Sequence, residues 1–264
     1  MRLKLVSTIL LLGALILVAC LPASNDKVDK DHHQGEGLVG DEDSYLQPGL
    51  DHGLMQSPIN ILSAEATTTG HNVTLNFTGE INKVANLGHT VQLHLEPGNT
   101  ISIDGRTFEY KQMHFHTPSE HLIDGITYPM EMHVVTTLKD QPEGEITEYL
   151  VLAFLARMGK ENKFISNFID QIPKEEGGVS KVDLNALTDS ETSNAANLLK
   201  ELNSYYYYKG SLTTPPYTES VNWYVMKKIF EASPDQILRI NAIEGDNARH
   251  VQGSSKINLR KIQK

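Results

Sequence analysis

Three histidines have the type and spacing of metal ligands. His114 and His116 are separated by one residue, and in a strand such residues project from the same face, about 6–7 Å apart. His133 lies in the next strand-like run, so its imidazole can approach from a neighbouring strand. Three protein ligands leave one tetrahedral position open for water, as catalytic zinc sites do and structural sites do not. We therefore predict a catalytic Zn²⁺ ion bound by these three histidines.

Two of the histidines have a hydrogen-bond acceptor two residues before them. Gln112 precedes His114, and Glu131 precedes His133, so each acceptor shares a strand face with its histidine. An amide or carboxylate oxygen at that position can accept the second imidazole N–H and fix the tautomer and orientation of the ring. The alternative, histidines on the solvated face of a strand, explains an isolated pair but not these two partners.

The segments that must position these residues alternate between apolar and polar residues and are separated by turn residues, a pattern typical of strands. The segment 149–156 is so apolar that we expect it to be buried on both faces. We predict strands over residues 73–77, 90–95, 100–103, 130–138 and 149–156.

Helical patterns are fewer. Apolar residues at helical spacing predict a helix over 161–172, which Pro173 ends, and a second over 193–202. Ser233 and Gln236 form a capping box with Pro234 at the first helical position, which predicts a helix through about residue 240. These patterns indicate one β-dominated domain with peripheral helices.

The charge balance and the N-terminal segment bear on partners and location. With 23 Lys+Arg against 33 Asp+Glu, the net charge is −10, which argues against nucleic acid as a partner. Residues 1–19 combine a short basic region with an apolar run too short to span a bilayer, as a signal peptide does. They end before Cys20, the only cysteine, in a sequence (LVAC) that resembles the lipobox of bacterial lipoproteins.

We therefore expect the protein to be exported and to carry a lipid on Cys20. This lipid would anchor it to the outer face of the bacterial cell membrane or hold it in the periplasm. The polar residues 20–52 are interpreted as a flexible tether, and residues 53–264 as the folded domain. Because no second cysteine is available for a disulfide or a thiolate metal site, any metal must be bound by His, Asp or Glu.

Several dispersed segments resemble the signature blocks of the alpha-class carbonic anhydrases, in the order in which that family has them. The blocks are 56–61 (QSPINI), 86–89 (NLGH), 112–116 (QMHFH), 119–121 (SEH), 131–133 (EMH), 211–216 (SLTTPP), 221–223 (VNW) and 247–249 (NAR). The resemblance covers residues 56–252. It implies a mainly β (α+β) fold, a single domain with a large central twisted, mostly antiparallel β-sheet and few peripheral helices.

The resemblance also implies the chemistry. Members of this family are zinc lyases that reversibly hydrate carbon dioxide to bicarbonate and a proton by zinc-bound hydroxide, and they are the standard example of zinc lowering the pKa of its water to about 7. The catalytic residues of the family fall on Thr213, whose hydroxyl accepts from the hydroxide and donates to Glu120, and on His89, the proton shuttle. Histidine suits a shuttle because its pKa is near 6.5. The family's carbon dioxide pocket falls on Val135, Val151, Leu212, Thr214, Val221 and Trp223, for which ordinary core packing is the alternative.

The sequence departs from the family pattern in two places that bear on proton transfer. Leu87 stands where an asparagine is usual, which removes a polar anchor for the water chain, and the aromatic N-terminal segment that many members carry before the block 56–61 is not recognisable. Residues 189–203 form an inserted or remodelled segment. The oligomeric state is not indicated by the sequence. Two other functions are alternatives: an adhesion module, which loss of a zinc histidine would indicate, and a zinc-delivering lipoprotein, which only the histidine pair 32–33 favours.

Overall fold

The computed structural model describes residues 53–68, 70–76, 81–182 and 204–253. The expected signal peptide, Cys20, the tether, the helix over 193–202 and the inserted segment 189–203 lie outside these residues. No helix in the described part of the chain is long and apolar enough to cross a membrane.

The described residues form a β-dominated fold around one large sheet. Eleven strands make up this sheet, and its main path runs β11-β3-β4-β6-β9-β10-β13-β12. Strands β2 and β5 extend it beside β6, and β14 pairs with β10. A second sheet has the order β1-β7-β8. The strands are β1 (Asn60–Ile61), β2 (Val73–Asn76), β3 (Ile81–Asn86), β4 (Val91–Leu95), β5 (Thr100–Ile103), β6 (Arg106–His116), β7 (Leu122–Ile123), β8 (Ile126–Thr127), β9 (Met130–Leu138), β10 (Tyr149–Met158), β11 (Val179–Lys181), β12 (Tyr205–Gly210), β13 (Val221–Met226) and β14 (Phe230–Ala232).

Most strand pairs of the large sheet are antiparallel. The exceptions are the pairs that β10 forms with β13 and with β14, which are parallel. The expectation of a mostly antiparallel central sheet is therefore confirmed, and the five predicted strands are present with bounds shifted by at most two residues.

Alternation along the central strands separates two hydrophobic clusters, one on each face of the sheet. In β10, Leu150 and Leu152 belong to the first cluster, whereas Val151 and Ala153 belong to the second. Both faces of β10 are thus buried, as its apolar sequence predicted. Strand β9 follows the same rule, with Val134 in the first cluster and His133 on the opposite face, toward Trp223 of the second cluster.

The helices are peripheral, and one differs from its prediction. The segment 161–172 forms a single α-turn, Lys163–Ser166, and a 3-10 turn, Ile169–Gln171, instead of one helix. Phe168 between them has φ −126°, because its ring is fully buried in the core rather than placed along a helix face. The capping-box prediction is confirmed: Ser233 and Gln236 cap a helix, Pro234–Glu244, that runs four residues beyond the expected end.

Candidate metal centre

Two adjacent central strands place the three histidines together. His114 on β6 is the direct antiparallel partner of His133 on β9, and His116 lies two residues farther along β6 on the same face. All three side chains are buried, with exposed fractions of 4% or less. The site is therefore set into paired central strands, because β9 lies between β6 and β10 and β6 also pairs with β4 at His114.

The three imidazoles present a set of nitrogen atoms that fits a tetrahedral zinc ion. One nitrogen from each ring lies within 4.8 Å of the other two, and His133 Nδ1 is 3.3 Å from His114 Nε2. Zn–N bonds of about 2.0–2.1 Å in a tetrahedron put neighbouring ligands about 3.3–3.4 Å apart. His116 Nε2 is buried without a hydrogen-bond partner in the described part of the chain. Burial also lowers the pKa of His116, which favours the neutral imidazole that a metal requires.

The second nitrogen of each ring faces a protein oxygen. His114 Nδ1 is 2.8 Å from Gln112 Oε1, and His133 Nε2 is 2.7 Å from Glu131 Oε1. Both contacts were predicted from the two-residue spacing. His116 Nδ1 lies 3.4 Å from the backbone carbonyl oxygen of Asn247. With these nitrogens donating to oxygen, the opposite nitrogens point into the shared space as metal ligands.

Glu131 holds a second histidine besides His133. Its Oε1 lies 2.6 Å from His121 Nδ1, and its Oε2 accepts from the His121 backbone N–H at 2.8 Å. The other nitrogen of His121 is 2.6 Å from the hydroxyl of Tyr208. Burial opposes ionisation of Glu131, but the charges and hydrogen bonds of His121 and His133 hold its pKa well below the usual value. A carboxylate is thus kept in the core to orient the ring of His133.

Glu120 lies beside the metal-facing nitrogens. Its Oε2 is 3.7 Å from His116 Nε2 and 4.0 Å from His133 Nδ1, and it is buried with no hydrogen-bond partner among the described residues. Its Oε1 accepts from the backbone N–H of Arg249 at 3.0 Å. The hydrogen bond from Thr213 that the resemblance implied is not formed in the described structure, although Thr213 is buried, with 7% of its surface exposed.

A buried arginine joins three parts of the chain around the Thr213 loop. Arg249 Nη1 donates to Gln56 Oε1 at 3.0 Å and to the carbonyl oxygen of Ser57 at 2.7 Å. Its guanidinium carbon lies 3.6 Å from the ring centroid of Tyr217, which has φ 59°. Gln56 in turn donates to the Tyr217 carbonyl oxygen at 3.2 Å. These contacts tie the loop after β12 to the segment that anchors Glu120.

The residues expected to form the carbon dioxide pocket gather on the histidine face of the sheet. Val151, Val221 and Trp223 belong to the second hydrophobic cluster, and Val135 and Leu212 pack against it. The Trp223 ring lies 4.9 Å from that of His133, centroid to centroid, while Thr214 is half-buried in the adjoining loop. The structure therefore brings an apolar surface and the metal ligands together.

His89 lies half-buried in the turn between β3 and β4. Its carbonyl oxygen accepts from Asn247 Nδ2 at 2.9 Å, and the Leu87 N–H donates to the Thr90 carbonyl to close the turn. Burial lowers the pKa of His89 against the opposing effects of a backbone hydrogen bond at Leu87 and the charge of Glu176.

The sequence alone predicted no structural role for Asn247 or Arg249. Asn247 faces His116 through its backbone, and its side chain donates to the carbonyl oxygens of His89 and Phe115. The only signal was their position in the block 247–249, since a backbone carbonyl acceptor leaves no trace in residue type.

Comparisons with known proteins agree with this geometry. The sequence model of the family described as eukaryotic-type carbonic anhydrase matches residues 46–264. A carbonic anhydrase of Neisseria gonorrhoeae is 36% identical over 254 residues, which cover 91% of this chain and 92% of that protein.

Two solved structures share the fold. The alpha-carbonic anhydrase of Photobacterium profundum superposes with a TM-score of 0.69 at 34% identity, covering 80% of this chain and 90% of the other. The alpha-carbonic anhydrase of Thermovibrio ammonificans, solved in complex with the inhibitor sulfanilamide, gives a TM-score of 0.66 at 33% identity and covers 80% and 88% of the two chains.

Proposed function

This chain belongs to the alpha-class, eukaryotic-type carbonic anhydrases, and from this premise we propose how its residues divide the reaction among them. The protein is a zinc enzyme for the reversible hydration of carbon dioxide to bicarbonate and a proton. The assignment rests on three buried imidazoles, each of which turns one nitrogen toward a shared point. The second nitrogen of each ring faces a protein oxygen.

His114, His116 and His133 would hold the zinc ion. When bound, zinc supplies a Lewis acid that lowers the pKa of a coordinated water to about 7 and so provides a nucleophile at neutral pH. Gln112, Glu131 and the Asn247 carbonyl keep the three rings from rotating away. Such outer partners are worth about 10–100-fold in metal affinity or activity.

Glu120 and Thr213 would orient the attacking water. A carboxylate accepts hydrogen bonds only, so a hydroxyl that donates to Glu120 Oε2 has only its lone pairs left for the water. After the water has lost one proton, its remaining hydrogen would be donated to the Thr213 hydroxyl oxygen, which would leave a lone pair directed at the substrate carbon. Glu120 Oε2 is buried beside the metal-facing nitrogens and has no hydrogen-bond partner among the residues described. This supports the arrangement, which requires the Thr213 hydroxyl to move within hydrogen-bonding distance.

Replacing Thr213 tests this pair. Thr213→Val should lower kcat/KM by about 10²–10³-fold, as expected for the loss of one oriented hydrogen bond in a transition state, with zinc content unchanged. Thr213→Ser should recover most of the activity, and Thr218→Val in the same loop should match the wild type. Equal kcat/KM for Thr213→Val and Thr218→Val would contradict the role of Thr213.

Val135, Val151, Leu212, Val221 and Trp223, with Thr214 at the loop, would hold carbon dioxide. The substrate is apolar and has no net charge, so a mostly apolar surface can bind it beside the nucleophile. The same surface binds water only weakly.

His89 would carry the released proton to buffer. It lies in an accessible turn, and Asn247 Nδ2 ties the backbone of that turn to the strand end that bears His116. A half-buried imidazole can accept a proton from the site and release it to solvent.

The location of the enzyme is a further part of the proposal. The apolar segment 1–19 and the lipobox-like residues before Cys20 support cleavage there and attachment of lipid to the cysteine. The enzyme would then act at the outer face of the bacterial cell membrane or in the periplasm, with 20–52 as its tether.

Lipid attachment is tested by detergent phase partition of the full chain expressed in a bacterial host. The wild type should enter the detergent phase and Cys20→Ala the aqueous phase, with equal carbonic anhydrase activity per zinc. A wild type that is found in the aqueous phase would contradict the anchor without bearing on the catalytic assignment.

A further inference from the structure

One buried carboxyl group near the metal centre has no part in the reaction described above. Glu244 is the last residue of the helix Pro234–Glu244 and is only 6% exposed. Its side chain reaches between two chain segments that carry proposed functional residues. One is the end of β6, where Thr117 follows His116, and the other is the start of β4, where Thr90 follows His89.

The positions of the groups around Glu244 can accommodate a proton on its carboxyl group. Thr117 Oγ1 has one hydrogen but lies 3.0 Å from two acceptors, Glu244 Oε1 and the Gly245 carbonyl oxygen. If Oε1 carries a proton, it donates to Thr117, and Thr117 donates to Gly245, so both contacts are hydrogen bonds. On the other oxygen, the Val91 N–H lies 3.3 Å away, while the Thr90 hydroxyl has a shorter contact, 2.9 Å, with the carbonyl oxygen of Phe115.

The electrostatic surroundings favour the same state. Among the described residues, the groups that interact with Glu244 are Thr90, Val91 and Thr117, and no charged group faces it. It also lies at the C-terminal end of a helix, where the helix dipole disfavours negative charge. An ionised carboxylate buried without a cation is costly and takes up a proton instead. Burial accordingly raises the pKa of Glu244 well above its usual value against these hydrogen bonds.

We propose that Glu244 is a neutral carboxylic acid at neutral pH and a positioning residue, which by donating to Thr117 and accepting from Val91 fixes the strand end behind His116 against the turn that carries His89. This role rests on His116 being a zinc ligand, as proposed above. Glu244 thereby acts on the metal centre without touching a ligand, because its contact is with Thr117, the residue that follows His116.

The protonation state can be measured without reference to zinc or activity. In protein labelled with ¹³C at glutamate Cδ, the Glu244 signal is assigned by its loss in Glu244→Gln. We expect it at the position of a protonated acid at pH 7, where exposed glutamates, with pKa values of about 4.3, are ionised. A carboxylate signal for Glu244 at pH 7 would overturn the proposal whether or not His116 binds zinc.

The pH dependence of unfolding gives a second test of the protonation state of Glu244. A raised pKa means that the folded state keeps a proton that the unfolded state loses above about pH 4.3, so folding stability falls as pH rises. Relative to Glu244→Gln, the unfolding constant of the wild type should therefore increase up to about tenfold per pH unit above that value. A ratio that stays constant between about pH 5 and pH 7 would contradict a neutral Glu244.

Zinc release separates positioning from general stability. The amide of Glu244→Gln can donate to Thr117 and accept from Val91 as the neutral acid does, so its rate of zinc loss to a chelator should stay within about twofold of the wild type. Glu244→Met has a similar volume and neither group, and should lose zinc about 10–100-fold faster. Ile240→Val weakens packing of the same helix and should release zinc at the wild-type rate. If Glu244→Met also releases zinc at the wild-type rate, or if Glu244→Gln releases zinc as fast as Glu244→Met, the positioning role is wrong.

Discussion

At the scale of single residues, the metal centre depends on oxygens that face the outer nitrogens of the rings. Gln112 and Glu131 were recognisable in the sequence because each shares a strand face with its histidine. The third acceptor, the Asn247 carbonyl, is contributed by a segment more than a hundred residues away along the chain. The oxygen partners of His114 and His133 therefore follow from local strand geometry. The oxygen partner of His116 depends on the fold.

His89 gives a residue-scale prediction that separates proton transfer from carbon dioxide hydration. His89→Ala should lower kcat at low buffer by about 10²-fold or more, the lower range for a positioned acid–base group, while kcat/KM stays unchanged. Added imidazole should restore part of the loss. His71→Ala, which alters a histidine paired with Asp104, is the control. Stopped-flow hydration that gives equal kcat for His89→Ala and the wild type would assign proton transfer to another group.

The lowered pKa of His89 predicts the pH range in which it works. Proton acceptance requires the neutral imidazole, which is present above the pKa. Because burial places that pKa below the usual 6.5, the contribution of His89 should persist below pH 6.5 and titrate away only at lower pH. The ratio of wild-type to His89→Ala kcat against pH measures this directly, and a midpoint above 6.5 would contradict it.

At the scale of elements, the loop after β12 is held by Arg249 rather than by a disulfide. Here the Tyr217 ring stacks on the Arg249 guanidinium, and the same guanidinium binds Gln56 and the Ser57 carbonyl. The loop that carries Thr213 is therefore fixed by one buried cation and its partners.

Removal of this guanidinium tests its contribution. Arg249→Met removes a buried donor from the Gln56 side chain and from the Ser57 carbonyl oxygen, and should lower the free energy of unfolding by about 2–5 kcal/mol, with a fall in kcat/KM as the Thr213 loop loosens. Arg157→Met removes an exposed arginine paired with Glu231 and should change stability by less than about 1 kcal/mol. Denaturant unfolding of both variants measures the difference, and equal losses would show that Arg249 is not a special anchor.

The strands and the C-terminal helix could be predicted because their signals are local. Alternation marks the face of β9, and Ser233 with Gln236 marks a helix start. The helix prediction for 161–172 was wrong because apolar residues at helical spacing can also be buried by two short turns. Phe168, which lies between those turns, packs into the core. The Arg249 and Glu244 contacts could not be predicted, since each joins segments distant in sequence and depends on geometry that only the fold supplies.

At the scale of the described fold, one sheet separates two environments. One face packs the apolar cluster of Val134, Leu150 and Leu152, and the other carries the histidines beside Trp223 and Val151. Peripheral segments, including the helix that ends at Glu244, then close the site from behind. The metal ligands lie on β6 and β9, which pair along most of their length, and this pairing fixes the directions of their side chains.

The central claim is that this sheet holds a zinc ion that hydrates carbon dioxide. The most direct measurement is stopped-flow hydration of carbon dioxide by zinc-replete protein, by protein stripped with a chelator, and by stripped protein given zinc again. With zinc, we expect a rate that exceeds the buffer blank by orders of magnitude, falls to the blank on chelation and returns when zinc is restored. A zinc-replete rate equal to the buffer blank would contradict it.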